Sequence, residues 1–309
     1  MKYIRSLFVN LVLLLSTTVL IGQSAQVDTF FLFFLGGQSN MEGYGYNHKL
    51  PETLDKTFED VWIFQGTPGQ DEKPGGGKGS WNRLQPGHGV GFHATFQENS
   101  YSNRFGIELT FAEKMQEFYP GQKIALIKYC KGGTSIDSLA ASVFGSWEPD
   151  YHGNTGINQY DHFLATMRNS LSDTDINNDG RKDVLLPKGI LWMQGEGDAS
   201  HGEAIALRYF DNLKRLMDLI RAAMLTDDLP VVVGKISDSW NDPRDQKVWD
   251  HGELVQYAQE KYARTDKNAA IVRSTRYYKY YDPWHFDSAG YLDLGEKFAE
   301  AMHLLLSKN

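Results

Sequence analysis

Continuous apolar runs recur along the chain and indicate buried β-strands. Five such runs span residues 30–35, 123–130, 189–193, 230–236 and 269–274. Strands that are apolar at successive positions, rather than at alternate ones, are typical of a parallel sheet covered on both faces. The pattern therefore predicts a five-stranded parallel sheet at the centre of the protein.

Between these runs, apolar residues repeat at helical spacing. The predicted helices span residues 106–119, 203–224, 253–265 and 289–306. In the last of them, Leu294, Phe298 and Met302 fall on one face. Alternating strands and helices predict an α/β fold, a three-layer α/β/α sandwich. Ligands bind such sheets beyond the carboxyl ends of the strands. Three of the five runs end there in a glycine-containing turn, so we expect the chemistry at that edge.

The chain opens with the features of an export signal. Lys2 and Arg5 precede an apolar run over residues 7–21, and small and polar residues follow it. The run is shorter than a stable membrane span requires, and this order fits a cleaved signal peptide. We predict that residues 1–25 are the signal peptide, that residues 26–309 form a single domain, and that the protein is secreted or periplasmic. An uncleaved N-terminal anchor is the alternative.

Charge and cysteine content narrow the classes of partner and of stabilising interaction. The formal net charge is −8 at pH 7, and loss of the two basic residues of the signal would make it more negative. An acidic protein is a poor partner for nucleic acid or for anionic membranes, so we expect neither after signal cleavage. Cys130 is the only cysteine in the chain. An internal disulfide is therefore excluded, and stability must come from the core.

A serine directly follows the first predicted strand and a histidine precedes the last predicted helix. Ser39 lies within the sequence GGQSNM at residues 36–41. A free hydroxyl is a poor nucleophile and needs a base. His285 could take the proton from Ser39 and return it to the leaving group, and Asp282, three residues earlier, could orient the imidazole. These residues predict a serine-dependent acyl transfer.

The ends of the second and third strands offer donors for the oxyanion that acyl transfer generates. Gly132 and Gly133 supply backbone N–H groups, and Gln194 supplies a side-chain amide. Together with the N–H group of Ser39, they place donors at three strand ends. Which of the two glycines directs its N–H group at the oxyanion stays open, with Gly132 as the first choice.

Four sequence blocks resemble those of a known family. Residues 37–41, 132–136, 194–198 and 282–285 match, in order, the sialate O-acetylesterase-like branch of the SGNH hydrolases. That branch includes the acetyl xylan esterases of carbohydrate esterase family six. The resemblance implies a flavodoxin-like sandwich, an O-acetylated carbohydrate of the xylan or sialic acid type as substrate, and deacetylation without a catalytic cofactor.

The resemblance also implies roles for individual residues. Ser39 matches the family nucleophile, His285 matches the base, and Asp282 matches the usual third member of the triad. Glu196 lies in a block whose glutamate can also support the histidine in this branch, so both carboxylates stay candidates. Gln194 stands in the role of the asparagine that most SGNH enzymes carry.

Substrate contacts are expected beside the serine and after a long irregular segment. Gln38 and Asn40 flank Ser39, and Arg104 follows residues 65–103, which are rich in Gly, Pro, His and Asn. Long loops of this kind often line binding sites. A solvated side chain is the alternative for Arg104. For the whole protein, the alternatives are a glycan-binding protein without catalysis and an esterase for non-carbohydrate esters.

A separate motif, DINNDGRKD, occupies residues 175–183. Oxygen-bearing side chains fall at its positions 1, 3, 5 and 9, with glycine at position 6, which is the spacing of EF-hand-like calcium loops. Leu186 replaces the usual glutamate at position 12. The predicted ligands of a structural Ca²⁺ are Asp175, Asn177, Asp179, Asp183 and the backbone carbonyl of Arg181. A plain Asp/Asn/Gly turn is the alternative.

Overall fold

The computed structural model describes residues 27–70, 75–153 and 156–308. The predicted signal peptide, residues 1–25, lies outside the described residues. None of the helices in the described ranges is long and apolar enough to cross a membrane.

The helices and strands of the described chain alternate as the apolar pattern indicates. The strands are β1 (Thr29–Gly37), β2 (Gly45–Tyr46), β3 (Val61–Gln65), β4 (Asn82–Arg83), β5 (His93–Ala94), β6 (Asn99–Ser100), β7 (Arg104–Phe105), β8 (Lys123–Cys130), β9 (Val184–Met193), β10 (Val231–Gly234) and β11 (Ala269–Val272). The helices are α1 (Ser39–Glu42), α2 (Glu108–Phe118), α3 (Gln159–Ser172), α4 (Glu196–Ala199), α5 (Glu203–Ala223), α6 (Gly252–Thr265) and α7 (Ser288–Leu306).

The central sheet has the strand order β11-β10-β9-β1-β8-β3-β4. Its neighbouring strands are parallel except for the β3–β4 pair, so the predicted α/β fold is confirmed. The sheet has seven strands rather than the predicted five. The prediction missed β3, which is only five residues long and leads into the irregular segment, and β4, which has two residues.

The sheet is apolar at successive positions because helices cover both of its faces. Phe33 of β1 packs edge-on against Phe111 of α2, with ring centroids 5.1 Å apart. Its neighbour Phe34 packs against Phe163 of α3 at 4.8 Å. Successive side chains of a strand point to opposite faces, so these two contacts place α2 and α3 on opposite sides of the sheet. The structure thus has the three predicted layers.

Parallel register brings three strand ends level at one edge. Gly37 at the end of β1 pairs with Cys130 of β8 on one side and Met193 of β9 on the other. A side chain at Gly37 is excluded, because a Cβ atom would lie 2.0 Å from the carbonyl oxygen of Met193. The segments that follow these three strands therefore meet at one place.

Candidate active site

Ser39 is the first residue of α1, the four-residue helix that follows β1. The turn is anchored by the N–H group of Gln38, which donates to the carbonyl of Met193 at 2.9 Å. Ser39 is 6% exposed and lines a cavity of about 500 Å³. Its backbone N–H group has no acceptor within the described ranges. The hydroxyl and a free N–H donor therefore occur on the same residue.

His285 lies in the turn ahead of α7 and lines the same cavity as Ser39. Its Nδ1 donates to Asp282 Oδ2 at 2.7 Å, and Asp282 Oδ1 accepts the backbone N–H groups of Trp284 and His285, both at 2.8 Å. Partial burial alone would raise the pKa of Asp282, but these hydrogen bonds outweigh it and lower that pKa. The imidazole is thus held through Nδ1, which leaves Nε2 as the nitrogen that can accept a proton.

Ser39 and His285, the predicted nucleophile and base, come from opposite ends of the chain and line one cavity. No hydrogen bond joins Ser39 Oγ to the His285 ring among the residues described. Tyr44 stacks on that ring, with centroids 3.6 Å apart and planes within 5°. In enzymes without bound substrate, catalytic hydrogen bonds are often long and tighten only in the complex. The stacking fixes the plane of the imidazole while leaving its edge available.

Asn40 joins the serine helix to the histidine turn. Its Nδ2 donates to Glu196 Oε1 at 2.8 Å and to the carbonyl of Trp284 at 3.2 Å, and its Oδ1 accepts from the Tyr291 hydroxyl at 2.8 Å. The residue is 1% exposed. The predicted contact between Asn40 and substrate is therefore corrected, because protein groups use the amide. Its effect is to hold the backbone beside His285.

Glu196, the second candidate partner of His285, does not bond to the imidazole in the described structure. Its Oε1 accepts from Asn40, and its Oε2 is buried without a partner in the described chain. Burial raises the pKa of Glu196 to about 7, although the hydrogen bond from Asn40 opposes the rise. Of the two carboxylates, Asp282 touches the histidine, and Glu196 reaches the histidine turn only through Asn40.

Gln194 does not reach the cavity, which corrects its predicted role as an oxyanion donor. The residue is fully buried, and its Nε2 lies 3.2 Å from Gln38 Oε1, 3.1 Å from the Thr134 carbonyl and 2.7 Å from Asp198 Oδ2. An amide nitrogen has two hydrogens, so these acceptors use both. Gln194 instead fixes the side chain of Gln38.

Gln38, and not Gln194, provides the side-chain amide that the sequence analysis expected beside Ser39. Its Oε1 accepts from the backbone N–H groups of Gly195 at 3.3 Å and Gly197 at 3.2 Å. Since a backbone N–H group can only donate, these contacts identify the oxygen of the amide. Its Nε2 has no acceptor among the described residues, and Gln38 lines the cavity. A side-chain donor beside Ser39 is therefore present, from a different glutamine.

The two glycines of the second block differ in what their N–H groups bind. The N–H group of Gly132 donates to Glu42 Oε2 at 2.9 Å, whereas that of Gly133 has no acceptor in the described chain. At Gly133, a Cβ atom would overlap the Phe144 ring at 2.3 Å. Glu42 was missed from the sequence, although its i, i+3 spacing from Ser39 places both on one helical turn.

Asp198 holds the second and third blocks together below the cavity. Its carboxylate accepts the backbone N–H groups of Ile136 and Asp137, both at 3.0 Å, as well as the amide of Gln194. Burial raises the pKa of Asp198 to about 6, against the effect of these hydrogen bonds. The residue is a positioning group and does not line the cavity.

Aromatic side chains form much of the cavity wall. Trp284 is 50% exposed beside His285, and Phe144, which lines the same cavity, is 43% exposed. Tyr44, Trp249 and His201 complete this set of rings. No pattern in the sequence indicated these five rings, since they come from five separate loops. They provide rigid, flat surfaces around Ser39.

Arg104 contacts the segment that carries Tyr44 and does not line the serine cavity. Its Nη1 donates to the carbonyl of Tyr44 at 2.6 Å, and its guanidinium carbon lies 3.4 Å from the centre of the Tyr46 ring. Arg104 lies against Tyr46 and Tyr281 and not in the lining of the cavity of Ser39, so its predicted sugar contact stays a prediction. The residue fixes the segment whose Tyr44 stacks on His285.

The loop at residues 175–183 uses its carboxylates within the loop itself. Asp175 accepts the backbone N–H groups of Asp179 at 3.0 Å and Gly180 at 2.8 Å, and Asp179 Oδ2 accepts from Arg181 Nε at 3.0 Å. In the described ranges, no three His, Cys, Asp or Glu side chains are grouped so as to hold a metal ion. Calcium binding by this loop stays a prediction.

Comparisons with known proteins identify the family of this chain. The family model described as "Carbohydrate esterase, sialic acid-specific acetylesterase" matches residues 29–304. No curated protein matches the chain. The resemblance that the four sequence blocks indicated is thus confirmed over most of the chain.

Solved structures share the fold at low sequence identity. A protein of Arabidopsis thaliana has a TM-score of 0.62 and 19% identity, covering 90% of this chain and 98% of the other. NanS has a TM-score of 0.57 and 17% identity, covering 92% and 99%. A carbohydrate acetylesterase of Xanthomonas citri has a TM-score of 0.57 and 17% identity, covering 90% of this chain and 57% of that protein.

Proposed function

The chain belongs to the carbohydrate esterase family of sialic acid-specific acetylesterases, and on that premise we propose that it is a secreted serine esterase that removes acetyl groups from an O-acetylated carbohydrate. The observation that carries the serine mechanism is the Asp282–His285 pair on the cavity that Ser39 lines. The export-signal pattern of residues 1–25 supports secretion.

In the first half of the reaction, His285 Nε2 takes the proton of Ser39, and Oγ bonds to the carbonyl carbon of the acetyl ester. The carbonyl oxygen becomes an oxyanion. The free N–H groups of Ser39 and Gly133 and the Nε2 of Gln38 are the donors available to it. Collapse of this intermediate breaks the bond to the sugar oxygen, which leaves with the proton from His285.

In the second half, water replaces the sugar. His285 takes a proton from the water, whose oxygen attacks the acetyl-Ser39 ester. The same donors stabilise the second oxyanion, and acetate leaves as the proton returns to Ser39. A side chain of the protein takes up and returns the proton at each step, so the proposal requires no catalytic cofactor.

The shape of the cavity supports a carbohydrate as the alcohol half of the substrate. A volume of about 500 Å³ accommodates an acetyl group with a sugar ring. The half-exposed Trp284 and Phe144 offer flat apolar faces, while Lys131, Ser142 and His201 line the same space with polar groups. Sugar rings combine apolar faces with a hydroxyl rim, and this mixed lining suits both.

Acetate release and p-nitrophenyl acetate hydrolysis test the proposal. The enzyme is incubated separately with acetylated xylan, O-acetylated sialic acid and acetylated pectin. We expect acetate from at least one of them, and a loss of roughly 10³-fold or more in kcat for Ser39→Ala and Asp282→Asn. Ser172→Ala, the same exchange on the exposed end of α3, is the control and should retain the rate.

Two results would overturn the proposal in different parts. An undiminished rate in Ser39→Ala would remove the nucleophile assignment. Hydrolysis of p-nitrophenyl acetate without acetate release from any of the three glycans would contradict the carbohydrate substrate and leave an esterase for other esters.

A further inference from the structure

A second cavity adjoins the active-site cavity at Tyr44, whose side chain borders both. It measures about 660 Å³ and is formed by the segment after α1, the turn before Asp282 and the start of α7. Its walls include Tyr46, His48, Lys49 and Tyr281. A ligand that extends from Ser39 past Tyr44 would enter this space.

Two aromatic rings of the second cavity are held in place without a ligand. The ring centroids of Tyr46 and Tyr281 lie 5.3 Å apart at 72°, and Arg104 covers Tyr46 at 3.4 Å. The backbone N–H group of Tyr46 donates to Ser288 Oγ at 3.0 Å. Tyr281 is nevertheless 59% exposed. A rigid exposed ring can bind a flat apolar face with little loss of conformational entropy.

The polar groups beside these rings are available to a ligand. Neither Lys49 Nζ nor the ring nitrogens of His48 form a hydrogen bond or an ion pair with another described residue. Asp287 and Ser288 also line the cavity. Gly290 N donates to Asp287 Oδ1 and Tyr46 N to Ser288 Oγ, which leaves Asp287 Oδ2 and the Ser288 hydroxyl proton for a ligand. Aromatic faces combined with donors and acceptors suit a sugar ring, whereas an acyl chain would leave the polar groups without partners.

From these observations we infer that the second cavity is a subsite for the sugar unit next to the acetylated one. The inference rests on the proposed function and extends it, because it makes the substrate an oligosaccharide or polysaccharide rather than a free monosaccharide. The chain of the glycan crosses Tyr44, and its neighbouring unit packs on Tyr281 while Lys49 binds its hydroxyl groups.

The test compares an acetylated tetrasaccharide with the acetylated monosaccharide prepared from the same glycan. The glycan is whichever of acetylated xylan, O-acetylated sialic acid and acetylated pectin releases acetate fastest, and for sialic acid the tetrasaccharide is an O-acetylated oligosialic acid. We expect a wild-type kcat/KM about tenfold higher on the tetrasaccharide. Tyr281→Ala removes a wall, and Ala289→Trp fills the cavity from the exposed first turn of α7. Each should lower the ratio by about fivefold or more, the size expected when one aromatic contact is lost.

The matched control is Tyr257→Ala, the same exchange on α6 at a tyrosine that is 63% exposed and remote from the cavity. It should keep the wild-type ratio. Equal kcat/KM on both substrates, or a ratio that neither cavity variant changes, would overturn the subsite. If the wild type did not hydrolyse p-nitrophenyl acetate, that result would instead contradict the proposed function, so the two failures are distinguishable.

Discussion

At the scale of single residues, Glu196 is a carboxyl group kept from water beside the catalytic edge. Burial raises its pKa from 4.5 to about 7. A group whose pKa is raised by folding stabilises the protein fully below the unfolded value, and this stabilisation is lost as pH rises through the folded value. The relevant window for Glu196 is therefore pH 4.5 to 7, and a shift of that size corresponds to about 3 kcal/mol.

We predict that Glu196→Gln removes this pH dependence. The glutamine keeps an oxygen for Asn40 Nδ2 and cannot ionise. The free energy of unfolding of the variant, relative to wild type, should rise between pH 4.5 and 8 by about 3 kcal/mol. Urea denaturation of both proteins at four pH values measures this difference. The contributions of other titrating groups, such as Asp198, are common to both proteins and cancel in it. A difference independent of pH would contradict the raised pKa.

The two glutamines illustrate where prediction from sequence ended at this scale. The blocks indicated that a side-chain amide lies beside Ser39, and one does. The structure assigns that amide to Gln38, because Gln194 is fixed by Asp198, Thr134 and Gln38. Which of two amides faces a cavity depends on their partners in space, and spacing along the chain does not encode those partners.

At the scale of elements, a buried ion pair joins four segments under the active site. Lys128 of β8 donates to Glu108 Oε2 of α2 at 2.8 Å, and both side chains are fully buried. The same ammonium donates to the carbonyls of Glu42 in α1 and His88 in the irregular segment, at 2.9 and 2.8 Å. The pair therefore fixes the serine helix relative to the sheet.

We predict that Lys128→Met lowers the free energy of unfolding by about 3–5 kcal/mol, because Glu108 becomes a buried charge with no opposite charge beside it and keeps only the N–H group of Gly106. Lys214→Met is the matched control. It breaks an exposed i, i+4 pair with Asp218 on α5 and should cost no more than about 0.5 kcal/mol. Urea denaturation measures both free energies of unfolding, provided that the m-value, their dependence on urea concentration, is the same in the variants. Equal losses in both would show that the buried pair does not stabilise the fold.

The apolar pattern predicted nine of the eighteen α-helices and β-strands of the described chain, and every one longer than four residues except α3 and β3. The four predicted helices and five predicted strands all occur. Helix α3 was missed because polar side chains, among them Thr166 and Ser170, are buried on its inner face and interrupt the apolar repeat. Strand β3 was missed because the irregular segment, and not a predicted helix, follows it. Both elements form because of their packing in the folded protein, which the local apolar pattern does not show.

At the scale of the whole molecule, the parallel sheet separates the residues of the proposed reaction from the candidate calcium loop. Strand β9 starts directly after the loop at residues 175–183 and ends beside Gln194. Its ten residues span roughly 33 Å. The loop therefore lies at the edge of the sheet opposite to Ser39, and an ion bound there would affect the folded state without contacting the substrate.

This separation predicts that chelation leaves catalysis unchanged. Every proton transfer in the proposed reaction passes through His285, which Asp282 orients, and the donors near the oxyanion belong to the protein. After dialysis against EDTA, kcat for p-nitrophenyl acetate at 25 °C should equal the untreated value, with or without added Ca²⁺. Loss of activity on chelation, restored by a metal ion, would contradict a metal-independent mechanism. Melting temperatures of the same samples test separately for an ion bound away from Ser39, as binding in the loop would be, because a Ca²⁺-dependent rise at constant kcat requires binding remote from Ser39.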